Sequence, residues 1–346
     1  MSISDLFLVL LGDKNGLWIS VLLVLGVIFV NGWTDAPNAI TASVSTDALK
    51  LKSGIIVAAI FNFVGAVVMG FANTSVLHSV EEITMMINGD KALPILSASL
   101  LSIIIWSIAA WYFGIPTSES HALISGIFGA AVACNGGVGG LELSVLKMAI
   151  IGLFLSLPIG AVLGLTIGKI LDVVSFNSKK GNNEKIVKRL QRVSSASMAF
   201  MHGAQDSQKF AGVFLAALMM SGSVGEVSNV PIWLILLCSA VISLGTAVGG
   251  YRIIKRVGME TVELTPLKGL ASDVSASICM LGASMLGIPV STTHTATASV
   301  IGAGMASSPR RINMRSVKEM MLAWMLTFPC CGLIAYFLVT IYLLCS

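Results

Sequence analysis

Apolar runs long enough to cross a bilayer follow one another along nearly the whole chain. They span approximately 17–46, 54–73, 93–113, 118–135 and 147–168, and after a polar, basic stretch they resume at 194–219, 231–249, 268–286, 290–307 and 320–344. A helical crossing needs roughly 20 such residues. Only 11% of the 346 residues are charged, against about 25% in a soluble domain. The chain therefore reads as an all-α polytopic membrane protein with no room for a separate soluble domain. The net charge of +4 calls for no nucleic acid. The cysteines lie in or beside apolar runs without a CxxC, so neither a disulfide framework nor a zinc site is expected. No cleaved signal peptide is expected either, and residues 1–16 are expected at the membrane interface.

Two stretches inside these runs look alike. Asn31-Gly32-Trp33-Thr34-Asp35-Ala36-Pro37-Asn38-Ala39 is echoed 171 residues later by His202-Gly203-Ala204-Gln205-Asp206-Ser207-Gln208-Lys209-Phe210. A second pair, Ile115-Pro116-Thr117-Ser118-Glu119-Ser120-His121 and Ile288-Pro289-Val290-Ser291-Thr292-Thr293-His294, repeats at an offset of 173. Two repeats follow, 1–168 and 194–346, joined by a basic connector at 169–193.

The charges orient them. With the connector in the cytoplasm, 17 of the 21 Lys and Arg fall on its side. Lys14, Lys91 and Lys147 fall on the other, and Lys209 lies within a motif. That is the positive-inside pattern, with both termini outside. Each half then holds an odd number of crossings, so the repeats are inverted, as is common in secondary transporters. Residues 93–135 and 268–307 read either as paired crossings or as re-entrant hairpins; polar tips suited to lining a cavity favour hairpins.

A carboxylate within an apolar segment is costly and marks a functional site. Gly32 and Pro37 are expected to break the first helix, and the second copy is expected to do the same at Gly203. Half-helix N-termini would then point free N–H groups at an oxyanion. Thr34, Asp35 and the unwound carbonyls would offer hard oxygen ligands to a small cation. Thr117, Ser118, Ser120, Ser291, Thr292 and Thr293 supply the hydroxyls that an oxyanion needs where no arginine enters an apolar core. His121, His202 and His294 are candidates for ligand or relay roles, but no pair of them has the spacing of a transition-metal site. Asp273 reads equally as a cation ligand or as an interhelical hydrogen-bond partner; for Asn62 the structural role is preferred.

These motifs resemble the signatures of the inorganic phosphate transporter (PiT) family: NGWTDAPNA and HGAQDSQKFAGV its paired acidic signatures, IPTSESH and IPVSTTH its tip pair, and GTAVGGYRIIKRVG (245–258) its basic segment. The resemblance implies a secondary symporter that moves inorganic phosphate inward with sodium or protons, often as a homodimer. Asp35, Asn38, Asp206 and Lys209 match signature positions, and Asp273 stands where relatives often carry Glu. Trp33, Thr34, Gln205, Asn62 and Glu119 depart from the pattern.

The resulting expectation is Na⁺-coupled phosphate symport by alternating access, in a multi-pass protein of the plasma or inner membrane, with no cofactor beyond the coupling ion. Phosphate would meet Asn38, Thr117, Ser118, Ser120, Gln205, Ser207, Lys209, Ser291, Thr292 and Thr293. Sodium would meet Asn31, Thr34, Asp35, His202, Asp206 and Asp273, with Glu119, His121 and His294 as a relay. Coupling to protons or to a metal–phosphate complex is the alternative in the same fold, and a passive anion channel a more distant one. An enzyme would need a nucleophile–base pair or a dinuclear cluster, which the spacing does not provide.

Overall fold

The computed structural model describes every residue except 1–2, 13–15, 116, 140, 142, 177–182, 226–229, 249–253, 255–260 and 308–311. The basic segment 245–258 and the Lys179–Lys180 part of the connector therefore lie largely outside the described residues. What is described is helical. A short α1 (Ile3–Gly12) precedes α2 (Leu17–Thr34), a 3₁₀ turn (Ala36–Ile40) and a five-residue α3 (Thr41–Ser45). There follow α4 (Leu51–Ala72), α5 (Ser75–Thr84), α6 (Ala92–Tyr112), α7 (Glu119–Cys134) and α8 (Leu143–Phe176). The second half holds α9 (Asn183–Met220), α10 (Ile232–Val248), α11 (Pro266–Met285), α12 (Thr292–Ser307) and α13 (Met314–Cys345).

The apolar runs are helical, with α8 and α9 extending into the expected 169–193 connector, and among the described residues five helical stretches are long and apolar enough to cross a membrane. Apolar side chains such as Phe61, Val162 and Phe337 cover the outside. Polar side chains instead go inward, and most of α12 is buried although it is largely Thr, Ser, Ala and Gly. Small residues let the backbones approach closely, the packing that association in lipid requires. Gly160 and Gly164 of α8 lie against Thr295 and Ser299 of α12, and Gly129 of α7 against Gly332 of α13.

The packing partners correspond across the halves. α7 lies on α13 as α12 lies on α8, α10 on α2 as α4 on α9, and α11 on α9 as α6 on α2. The long helices α8 and α13 each enclose a proline, Pro158 and Pro329, again 171 residues apart.

One expectation fails. The first motif breaks between Thr34 and Ala36, but the second runs unbroken through the 38-residue α9. Pro37, which cannot donate a helical N–H, has Gln208 as its counterpart, and Gln208 keeps the donor. The motif glycines serve packing instead of unwinding. Gly32 lies against the α10 backbone at Ile242 and Thr246, and Gly203 against the α4 backbone at Asn62, where a Cβ would have no room.

Candidate functional site

The two motifs and the two tips meet in the interior. Asp35 and Asp206 are 3% and 1% exposed, and the ligating atoms of Asp35, His202 and Asp206 all lie within 4.8 Å of one another. Around Asp35 the donors are neutral. Thr293 donates its hydroxyl to Oδ1, and Asn38 donates Nδ2 to the same oxygen at 3.3 Å and to Thr293 Oγ1 at 3.2 Å.

Around Asp206 one donor is charged. Lys209 Nζ reaches Asp206 Oδ1 at 2.6 Å, Ser120 Oγ at 2.7 Å and the Val290 carbonyl at 2.6 Å. Asp206 Oδ2 accepts from Asn31 Nδ2 and Thr292 Oγ1, both at 3.2 Å, and lies 3.3 Å from His202 Nε2. These surroundings correspond by offset: Asn38 bridges Asp35 and Thr293 as Lys209 bridges Asp206 and Ser120.

The tips meet each other at equivalent residues. Ser118 Oγ and Ser291 Oγ are 2.7 Å apart, and the rings of His121 and His294 stack with centroids 4.4 Å apart. Each serine also caps its own helix, accepting the backbone N–H of His121 or His294. The N-termini of α7 and α12 therefore open at the acidic cluster. There the macrodipole favours an anion within a turn's reach of the carboxylates. Glu119 is the first residue of α7, 2% exposed. It accepts from Thr34 Oγ1 at 3.1 Å and from Ser107 Oγ.

Of the expected phosphate ligands, Asn38, Ser118, Ser120, Lys209, Ser291, Thr292 and Thr293 gather here. Thr117 and Ser207, next to members of the cluster in sequence, are also buried. Gln205 does not join them. It points across to α11, donating to Ser284 Oγ at 2.8 Å and to the Met280 carbonyl.

Of the expected cation ligands, Asn31, Thr34, Asp35, His202 and Asp206 lie in or beside the cluster. Asp273 does not. Its Oδ2 accepts from Ser194 and Ser195 at 3.0 and 3.1 Å, and Ser195 lies eleven residues before Asp206 in α9, roughly 16 Å along the helix. Asn62 donates to Thr246 of α10 at 2.8 Å, the interhelical role preferred for it. Of the expected relay, Glu119 touches the first motif at Thr34, while the rings of His121 and His294 lie edge-on or tilted against Phe154, Phe328 and Trp324. Sequence reasoning missed Ser107 and the Ser194–Ser195 pair. Their hydroxyls carry no distinguishing signal, since serines recur throughout the apolar runs.

Among the described residues, the buried polar atoms of the cluster without a hydrogen-bond partner include both His202 ring nitrogens and two amide oxygens. Asn31 Oδ1 and Asn38 Oδ1 are buried and accept no hydrogen bond. Orphaned carbonyl oxygens beside carboxylates are a donor set for a hard cation.

Comparison with known proteins identifies the family. Residues 31–335 match the model of the phosphate transporter family. The chain is 35% identical over 322 residues to a probable low-affinity inorganic phosphate transporter of Bacillus subtilis, covering 92% of this chain and 95% of that protein. It is also 35% identical over 310 residues to one described in the same words from Rhizobium meliloti, covering 89% and 90%. Among solved structures it superposes on a sodium-dependent phosphate transporter with a TM-score of 0.81 at 22% identity. That match covers 95% of this chain and 99% of the other, and it supports the fold.

Proposed function

The chain belongs to the phosphate transporter family, whose members are transporters and not enzymes, and on that premise we propose that it takes up inorganic phosphate by Na⁺-coupled symport with alternating access. The observation that carries sodium coupling is the pair of orphaned oxygens, Asn31 Oδ1 and Asn38 Oδ1, beside the carboxylates of Asp35 and Asp206. A sodium ion beside Asp35 gives Asn38 Oδ1 a partner and offsets carboxylate charge. It thereby lowers the cost of bringing a multiply charged anion into a buried site. Phosphate is held by the N-termini of α7 and α12 and by tip hydroxyls, with Thr292 and Thr293 able to turn from the carboxylates to the anion. Each ligand then raises the affinity for the other by the same factor.

The burial of both tips and their contact at equivalent residues support re-entrant hairpins within two inverted repeats, 1–168 and 194–346. The charge asymmetry supports a cytoplasmic connector with both termini outside the plasma or inner membrane. Two such hairpins meeting on a pseudo-two-fold axis are a natural pair of gates, one opening to each side. A homodimer is part of the same proposal, resting on the family alone.

The test is radiolabelled phosphate uptake into proteoliposomes under imposed gradients. An inward Na⁺ gradient at equal pH is expected to drive accumulation. Uptake driven by a pH gradient and indifferent to Na⁺ would select proton coupling, and flux driven by neither would point to a passive channel.

A further inference from the structure

Lys209 was expected to hold phosphate, but its surroundings argue otherwise. An ammonium has three N–H donors and no more. In Lys209 all three are taken by protein oxygens, Asp206 Oδ1, Ser120 Oγ and the Val290 carbonyl, at 2.6–2.7 Å. The side chain is 1% exposed and comes from the rigid interior of α9. The three oxygens belong to α9 and to both tips, so the ammonium bridges three elements in the manner of a bound cation.

The counterpart residue is informative. Asn38 occupies the equivalent place beside Asp35, contacting that carboxylate and Thr293 as Lys209 contacts Asp206 and Ser120. Asn38 is neutral and keeps a free carbonyl oxygen. One acid is therefore neutralised by a cation built into the chain, and the other faces an amide that can ligate a cation but cannot replace it.

We propose that Lys209 is a tethered cation that satisfies Asp206 permanently, so that inorganic cations are recruited on the Asp35 side and the residue sets how many accompany each phosphate. This rests on the sodium-symport reading. Replacing Lys209 by a neutral residue leaves Asp206 to recruit one further sodium ion. Placing a lysine at position 38 supplies Asp35 with its own ammonium and removes one.

The experiment measures the ratio of ²²Na⁺ to ³²P-phosphate moved in proteoliposomes by the full chain, by K209Q and by N38K. The ratio is expected to rise by one in K209Q and to fall by one in N38K. Ratios equal to the full chain's in transporting variants would overturn the inference. For a variant that folds without transporting, equilibrium ²²Na⁺ binding to purified protein at saturating phosphate gives the same count. If neither variant folds, a structure of the unmodified protein with sodium and phosphate decides. Lys209 Nζ is expected still on its three oxygens, and an ammonium turned onto the phosphate would overturn the proposal. Absence of any sodium binding or coupling in the full chain would instead sink the symport reading on which the inference stands.

Discussion

The two copies of the acidic motif hold the same carboxylate in unlike surroundings. At Asp35 the chain is broken by Pro37, and the donors are a hydroxyl and an amide. At Asp206 the helix is continuous, and the donors include an ammonium within 2.6 Å. A broken backbone with neutral partners is a place where an ion can arrive and leave. An unbroken helix with a fixed counter-charge is a place built to stay as it is. The two motifs are thus alike in sequence position, while Pro37 opposite Gln208 and Asn38 opposite Lys209 give the two acids unlike surroundings.

The sharpest way to break this contrast is to remove the Asp206 carboxylate. Asp206→Ala leaves the Lys209 ammonium buried without its anion, a change that costs about 3–5 kcal/mol. Thermal unfolding in detergent is expected to show a large loss. Asp35→Ala strands no cation and is expected to cost less, and equal losses would contradict the asymmetry. Next in size is Gln208→Pro, which transfers the break to the second copy at about 3 kcal/mol. If instead α9 tolerated it as the first copy tolerates Pro37, the continuity of α9 would have no importance.

A smaller effect is expected of Gly203→Ala, whose methyl meets the α4 backbone at Asn62. Overpacking of this kind costs about 1–3 kcal/mol, and neutrality would restore the hinge role first assigned to that glycine. Smallest is Ser118→Ala, which deletes the tip-to-tip hydrogen bond with Ser291 and the cap on α7 for about 1–2 kcal/mol in all. Ser291→Ala should match it within error.

Much of this frame is legible in the sequence. The apolar runs became helices because length and hydropathy suffice to specify a crossing, and the motif offsets identified residues that now touch their own counterparts. The failures were local or directional. α5 (Ser75–Thr84) passed unnoticed because it is short and polar, carrying His78, Glu81 and Glu82. Gly203 read as a hinge because a glycine that permits bending and a glycine that permits close packing are the same letter; only the neighbouring helix separates them. Gln205, placed in the site by its motif position, points instead to Ser284 of α11, and Asp273, open between cation ligand and interhelical partner, bonds Ser194 and Ser195 of α9. Lys209 was legible as a buried cation but not as a saturated one, which takes three distances to see.

The central claim is that a cation at Asp35 and the phosphate beside it stabilise each other. The most direct measurement is phosphate affinity of the purified protein by calorimetry, across a series of Na⁺ concentrations, for the full chain and for Asp35→Asn. Affinity is expected to rise with Na⁺ in the full chain and to become nearly flat in the variant. An unchanged dependence in Asp35→Asn would contradict the account.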